Sequence, residues 1–178
     1  MKLLVGVDGS SNSFAAVEFV GRLLSAERDE LVLLFATPAS PFDDEQLDPV
    51  IAERASAAIS RPGLDAAVER LPAEWRERAV TRYAAGPAGT LLLEAIDQDK
   101  PDVVAVGFRG TSGIIERFML GSVSRAVVHS AKVPVLVVES EPASDSPAKQ
   151  SPGPVGRQLH VLVAYDDADV GQRAATLI

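Results

Sequence analysis

The sequence predicts an α/β fold, an open sheet of five parallel strands with helices on both faces. Three observations lead there. Short apolar runs such as Leu31 to Ala36 are continuous rather than alternating, as in strands buried on both faces. Between these runs lie stretches whose apolar residues recur at helical spacing. The resulting order over residues 1–138 is β-α-β-α-β-α-β-α-β, which right-handed crossovers convert into a doubly wound parallel sheet.

Each element has its own justification. Lys2 to Val7 is a first strand, closed by the turn cluster Asp8-Gly9-Ser10-Ser11. Ala15, Ala16, Phe19, Val20, Leu23 and Leu24 then form one apolar stripe, on a helix capped by Ser10 or Ser11. Leu31 to Ala36 is the second strand, ended by Thr37-Pro38. In the segment 39–78, Val50, Ile51, Ala55, Ala58 and Ile59 fit a helical face that Pro62-Gly63 breaks. A shorter helix is expected from Leu64 to Glu69, with Trp75, the one tryptophan, anchoring the segment to the sheet. Ala79 to Ala84 alternates like an edge strand with Arg82 outward. Pro87 to Asp97 is a helix carrying Leu91, Leu92, Ala95 and Ile96 on its apolar side. Asp102 to Val106 is a buried strand, Gly121-Ser122 opens the last helix, and Val133 to Val138 is the last strand.

Composition limits the function classes. The chain has 178 residues with 17 Lys+Arg against 25 Asp+Glu, a formal net charge of −8, which argues against nucleic acid as a main partner. It has no cysteine, hence no disulfide, thiolate zinc site or cysteine nucleophile. The start Met1-Lys2-Leu3-Leu4-Val5 reaches Asp8 without the apolar core of a signal peptide, and no apolar run approaches the ~20 residues of a membrane span. A cytoplasmic protein with no membrane partner is expected.

Ligands of such sheets bind beyond the carboxyl ends of the strands, where the winding reverses. That directs attention to Asp8, to Ala36 and to everything from Gly107 onward. The stretch from Gly107 to Arg125 leaves a buried strand, makes a glycine-bearing loop and enters a helix at Gly121-Ser122. A helix entrance offers unpaired N–H donors and the positive end of the helix dipole, which suits a phosphate group. Between Gly107 and Lys132 four cations (Arg109, Arg117, Arg125 and Lys132) face Glu116 alone, a local +3 in a chain of −8. A positive island at the carboxyl edge of a sheet marks an anion site. Asp8 has two readings, ligand contact or cap of its own Asp-Gly-Ser-Ser turn. Neither a P-loop nor a Ser/His/Asp set is present, so no catalytic residue is assigned. His129, on the last helix, has no acid or nucleophile partner. Asp43-Asp44-Glu45 reads as an acidic helix start, and no metal ligand is assigned.

Several motifs occur together in order: Val5-Gly6-Val7-Asp8-Gly9-Ser10, the Gly107-Phe-Arg-Gly110 loop, Gly121-Ser122-Val123-Ser124-Arg125-Ala126-Val127, and Val133-Pro134-Val135-Leu136-Val137-Val138. Over about residues 2–138 the chain resembles the universal stress protein family. The resemblance implies a Rossmann-like sheet of strand order 3-2-1-4-5, akin to that of the adenine nucleotide alpha hydrolases. It further implies ATP as the bound nucleotide, possibly with Mg²⁺, and a sensor or regulatory module with little or no hydrolysis. By the same resemblance Asp8 meets the adenosine, the backbone of Ala36 meets the adenine edge, and Gly107, Gly110, Gly121 and Ser122 hold the phosphates; Val7, Arg109 and Val123, beside them in sequence, complete the expected nucleotide site. The ATP-binding branch carries Gly-x2-Gly-x9-Gly-Ser/Thr, whereas ten residues, Thr111 to Leu120, separate Gly110 from Gly121 here. The alternative is a member without nucleotide that serves as an interaction module, with a homodimer formed through the apolar strand Val133 to Val138.

Residues 139–159 form a Pro/Ser-rich linker. Beyond it, Val163-Ala164-Tyr165-Asp166 repeats Val5-Gly6-Val7-Asp8, so residues 160–178 read as the first strand and helix of a truncated second repeat, in the manner of tandem members. A lone strand and helix buries too little apolar surface to fold unaided.

Overall fold

A computed structural model describes residues 1–37, 49–109 and 120–140. These belong to one unit, Met1–Ser140. The predicted linker beyond Ser140, the truncated repeat, the acidic cluster Asp43-Asp44-Glu45 and most of the glycine loop lie outside the described residues.

The elements alternate as expected: β1 (Lys2–Val7), α1 (Ser11–Leu23), β2 (Glu30–Thr37), α2 (Pro49–Glu69), a 3₁₀ turn (Ala73–Trp75), β3 (Val80–Ala85), α3 (Ala88–Asp99), β4 (Val103–Gly107), α4 (Ser122–Ser130) and β5 (Val135–Val138). All strands pair in parallel in the order β3-β2-β1-β4-β5. β1 is therefore central, and the winding reverses between it and β4.

The period of two along each strand divides the core into two layers. Leu3, Val5 and Val7 of β1 and Leu31, Leu33 and Phe35 of β2 bury against Ala16, Val17 and Val20 of α1 and against Leu64 and Ala67 of α2. Leu4, Val32, Leu34, Val104 and Val106 point to the opposite face and meet Leu92, Ala95 and Ile96 of α3 and Val127 of α4. Both faces of β1, β2 and β4 are thus dry, which is why their sequences run continuously apolar. Trp75 is buried in the layer beneath α1 and α2, the anchoring role its composition suggested.

Four expectations need correction. Pro62-Gly63 does not break the second helix: α2 is one helix with Pro62 inside it. Gly63 faces Phe35, and a Cβ there would lie 2.3 Å from Phe35 Cε2, so the glycine is a notch for the ring rather than a terminator. β3 does not alternate. Five of its six residues are exposed, so this edge strand owes its place to backbone pairing with β2, although Arg82 does point outward and pairs with Asp99 at 2.6 Å. The last strand starts at Val135, not Val133. Val133 is buried in the core ahead of the ladder, where the Pro134 carbonyl accepts the Val104 N–H at 3.0 Å. The remaining strand and helix ends differ by one or two residues: β2 gains Glu30 and Thr37 on Leu31–Ala36, β3 and β4 are each displaced one residue onward from Ala79–Ala84 and Asp102–Val106, and α3 runs Ala88–Asp99 rather than Pro87–Asp97.

Candidate functional site

The chain leaves β1 into a tight turn. Gly9 takes φ +80°, a conformation that glycine alone adopts freely. Asp8 Oδ1 accepts the Ser10 N–H at 2.9 Å, so the turn-cap reading of Asp8 holds geometrically. Ser10, not Ser11, caps α1: its Oγ accepts the Ser13 N–H at 3.2 Å. The same hydroxyl donates to the Arg109 carbonyl at 3.2 Å, which ties the entrance of α1 to the chain leaving β4.

Three successive carbonyls after β4 are engaged this way. Ser124 Oγ donates to the Gly107 carbonyl at 2.6 Å, the Gly121 N–H to the Phe108 carbonyl at 2.9 Å, and Ser10 Oγ to that of Arg109. The Phe108 N–H in turn donates to Val138 of β5 at 2.7 Å. Gly107 is fully enclosed. A Cβ there would lie 2.7 Å from the backbone carbonyl carbon of Asn12 and 2.7 Å from the nitrogen of Ser13. The first turn of α1, the end of β4 and the first turn of α4 therefore form one fixed frame.

That frame borders a cavity of about 360 Å³ at the carboxyl end of the sheet. Val7, Asp8, Ala36, Gly107, Arg109, Gly121, Ser122 and Val123 all lie on its wall. Gly110, the remaining predicted site residue, lies outside the described residues. Eight further wall residues were not assigned to the site from the sequence: Gly6, Ser13, Leu34, Phe35, Ala88, Leu92, Val106 and Ser124. Leu92 had a signal, its place on the apolar stripe of α3. It reaches the cavity because Gly6 has no side chain; a Cβ on Gly6 would stand 2.9 Å from Leu92 Cδ1.

The cavity wall is part apolar and part polar. Leu34, Leu92, Ala88 and Val106 offer contact for a planar, weakly polar group. The entrance of α4 stands on the same wall, its N-cap Gly121 having no side-chain cap. The amides of Ser122, Val123 and Ser124 have no partner within the helix, and the helix dipole adds positive potential where they emerge. The Gly121 amide is not part of this set, since it is spent on Phe108. Arg109, half-buried and with its guanidinium 5.3 Å from the centre of the Phe108 ring, adds a cation to the same wall. Phe108 is not part of the wall. His129 is exposed on α4. Among the described residues no group of three His, Cys, Asp or Glu side chains converges as a metal site, and no helix is long and apolar enough to cross a membrane.

Comparison with known proteins agrees with this architecture. The sequence profile of the universal stress protein family matches residues 1–139. Universal stress protein MJ0531 of Methanocaldococcus jannaschii is 26% identical over 145 residues, spanning 78% of this chain and 81% of that protein. Universal stress protein YxiE of Bacillus subtilis is 30% identical over 146 residues, spanning 77% of this chain and 97% of the relative. A crystal structure of a universal stress protein in complex with cAMP superposes with a TM-score of 0.52 at 29% identity, covering 78% of this chain and 95% of that one. With a profile match over most of its length and relatives aligned nearly end to end, the chain belongs to the universal stress protein family.

Proposed function

We propose that the domain binds an adenine nucleotide, ATP in particular, and acts as a regulatory module of the stress response rather than as an enzyme. The observation that carries this reading is that the wall of one cavity gathers eight of the nine predicted site residues, together with apolar side chains and an uncapped helix entrance. A relative of 29% identity binds cAMP, which supports the purine end of the proposal. In this reading the adenine lies against Leu92 and the backbone of Ala36. Val7 and Asp8 meet the ribose, and the phosphates lie against the amides of Ser122 and Val123 beside Gly107, Gly110, Gly121 and Arg109. Magnesium, where present, arrives on the phosphates rather than in a protein cage. Little or no hydrolysis is expected, because Asp8, the one carboxylate on the described wall, already holds the turn after β1. Binding would stabilise one conformation of the domain and so report nucleotide level to a partner.

Calorimetric titration with ATP and with cAMP tests this, using Gly121→Asp as control. Gly121 has φ −58°, which aspartate tolerates, and aspartate is a good N-cap, so the variant should fold. Its carboxylate would occupy the place of the phosphates. The wild type should release binding heat, and the variant should bind at least about tenfold more weakly. Negligible heat from both proteins overturns the proposal.

A second reading, an interaction module without nucleotide, is favoured by one feature: β5 ends the sheet with all four of its residues, Val135 to Val138, only half-buried. We propose a homodimer through this strand, a partnership compatible with either reading. The domain limits 1–138, the linker 139–159 and a truncated tandem repeat at 160–178 remain part of the same proposal, carried by the repeated Val-x-x-Asp motif. So does a cytoplasmic location without nucleic-acid or membrane partners.

A further inference from the structure

We infer that the Ser124 side chain positions the phosphate end of the nucleotide site, its hydroxyl acting through the hydrogen bond to the Gly107 carbonyl rather than on the ligand. The inference rests on the proposed nucleotide function and adds to it the group that aims the helix.

Ser124 is the third residue of α4 and is 3% exposed. Serine there costs helix stability relative to alanine, so its retention in a buried first turn calls for a partner. The usual partner at this position would be the backbone N–H of the N-cap, yet the Gly121 N–H is donated to the Phe108 carbonyl. Its hydroxyl reaches instead across to the sheet and donates to the Gly107 carbonyl at 2.6 Å. Gly107 cannot shift in response, because the backbone of Asn12 and Ser13 lies where its Cβ would be. The receiving carbonyl thus belongs to a residue packed closely against the first turn of α1.

α4 has only nine residues, and Val127 is its one fully buried hydrophobic anchor, a full turn further along. Packing at Val127, with Val123 of the first turn partly buried against the same core, holds the helix on the sheet. Two hydrogen bonds add direction to that first turn, the Gly121 N–H to Phe108 and the Ser124 hydroxyl to Gly107. The amides of Ser122 and Val123, which are to meet phosphate, lie between them.

The test uses the full chain, with wild type, Ser124→Ala and Ser124→Thr. ATP and adenosine are the titrants, and amide hydrogen exchange is followed across α4. Expected for Ser124→Ala are a fall of about tenfold in ATP affinity, unchanged adenosine affinity, and faster exchange confined to the first turn, read at the Gly121 and Arg125 amides, which are bonded to the Phe108 and Gly121 carbonyls. Ser124→Thr keeps the hydroxyl and should stay within about twofold of wild type. ATP and adenosine weakening together would mark a general loss of structure and overturn the inference, as would unchanged exchange in the first turn. If the wild type takes up no ATP, the nucleotide proposal fails on its own account. The exchange arm still decides the role of Ser124: faster exchange in Ser124→Ala that threonine restores upholds it, and no change refutes it.

Discussion

At position 107 there is room for a hydrogen atom and nothing larger. Gly9 differs: nothing lies within 4 Å of its would-be Cβ, and its positive φ alone explains the residue. For Gly107 the obstruction is backbone, which cannot rotate aside as a side chain can. We expect Gly107→Ala to lower stability by about 1–3 kcal/mol, seen as a fall in the urea midpoint. An unchanged midpoint would contradict the packing described. The sequence pointed to Gly107 for its place in a glycine loop, and to Ser10 and Asp8 as turn and cap residues. Which atoms they meet was not legible, because Asn12, Arg109 and Ser124 reach them only through the pairing of β1 with β4. A motif records residue types along the chain, whereas a steric limit depends on what the fold brings alongside.

Among the elements, those buried on two faces were readable and those held by partners were not. β1, β2 and β4 announce themselves by unbroken apolar runs. β3 does not, since an exposed edge strand imposes little on its side chains. α2 was misread at Pro62-Gly63 because local rules treat that pair as a stop, while Phe35, far away in sequence, requires the notch. The start of β1 is held by a bond of another kind. The Met1 ammonium lies 2.6 Å from Asp29 Oδ1, and the Ser25 N–H donates to Oδ2 at 2.9 Å. The hydrogen bond from the ammonium, followed by that from Ser25, lowers the Asp29 pKa below its ordinary value of 3.8. The bond to Asp29 likewise raises the amine above 8.0. The carboxylate's contribution is present above its unfolded pKa and lost as pH falls through the lowered folded value. The amine's contribution is complete below its unfolded pKa and lost as pH rises through the raised one. Asp29→Asn should therefore be less stable than wild type across the middle range, with the gap closing in acid and again in alkali. Urea midpoints measured from acid to alkaline pH check this, and a gap independent of pH would contradict it.

For the molecule as a whole, the doubly wound sheet with helices on both faces followed from alternation and winding, and the strand order from the family resemblance, which left the carboxyl edge as the place to look for a ligand. The depth and shape of the cavity did not follow, because they depend on Gly6 admitting Leu92 and on three carbonyl contacts after β4. The sheet also has a direction of growth. Among the described residues no strand pairs with the outer side of β5, and its valines and leucine are too exposed to be indifferent to company. Sedimentation equilibrium at tens of micromolar should find the proposed dimer; monomer alone would count against pairing through β5.

The bond from the Gly121 N–H to the Phe108 carbonyl moors the doorway of α4 to the residue that follows β4. Where that doorway stands is thus set by an anchor at its own threshold, and a count of residues along the motif is a poor guide to whether an anion would find it there.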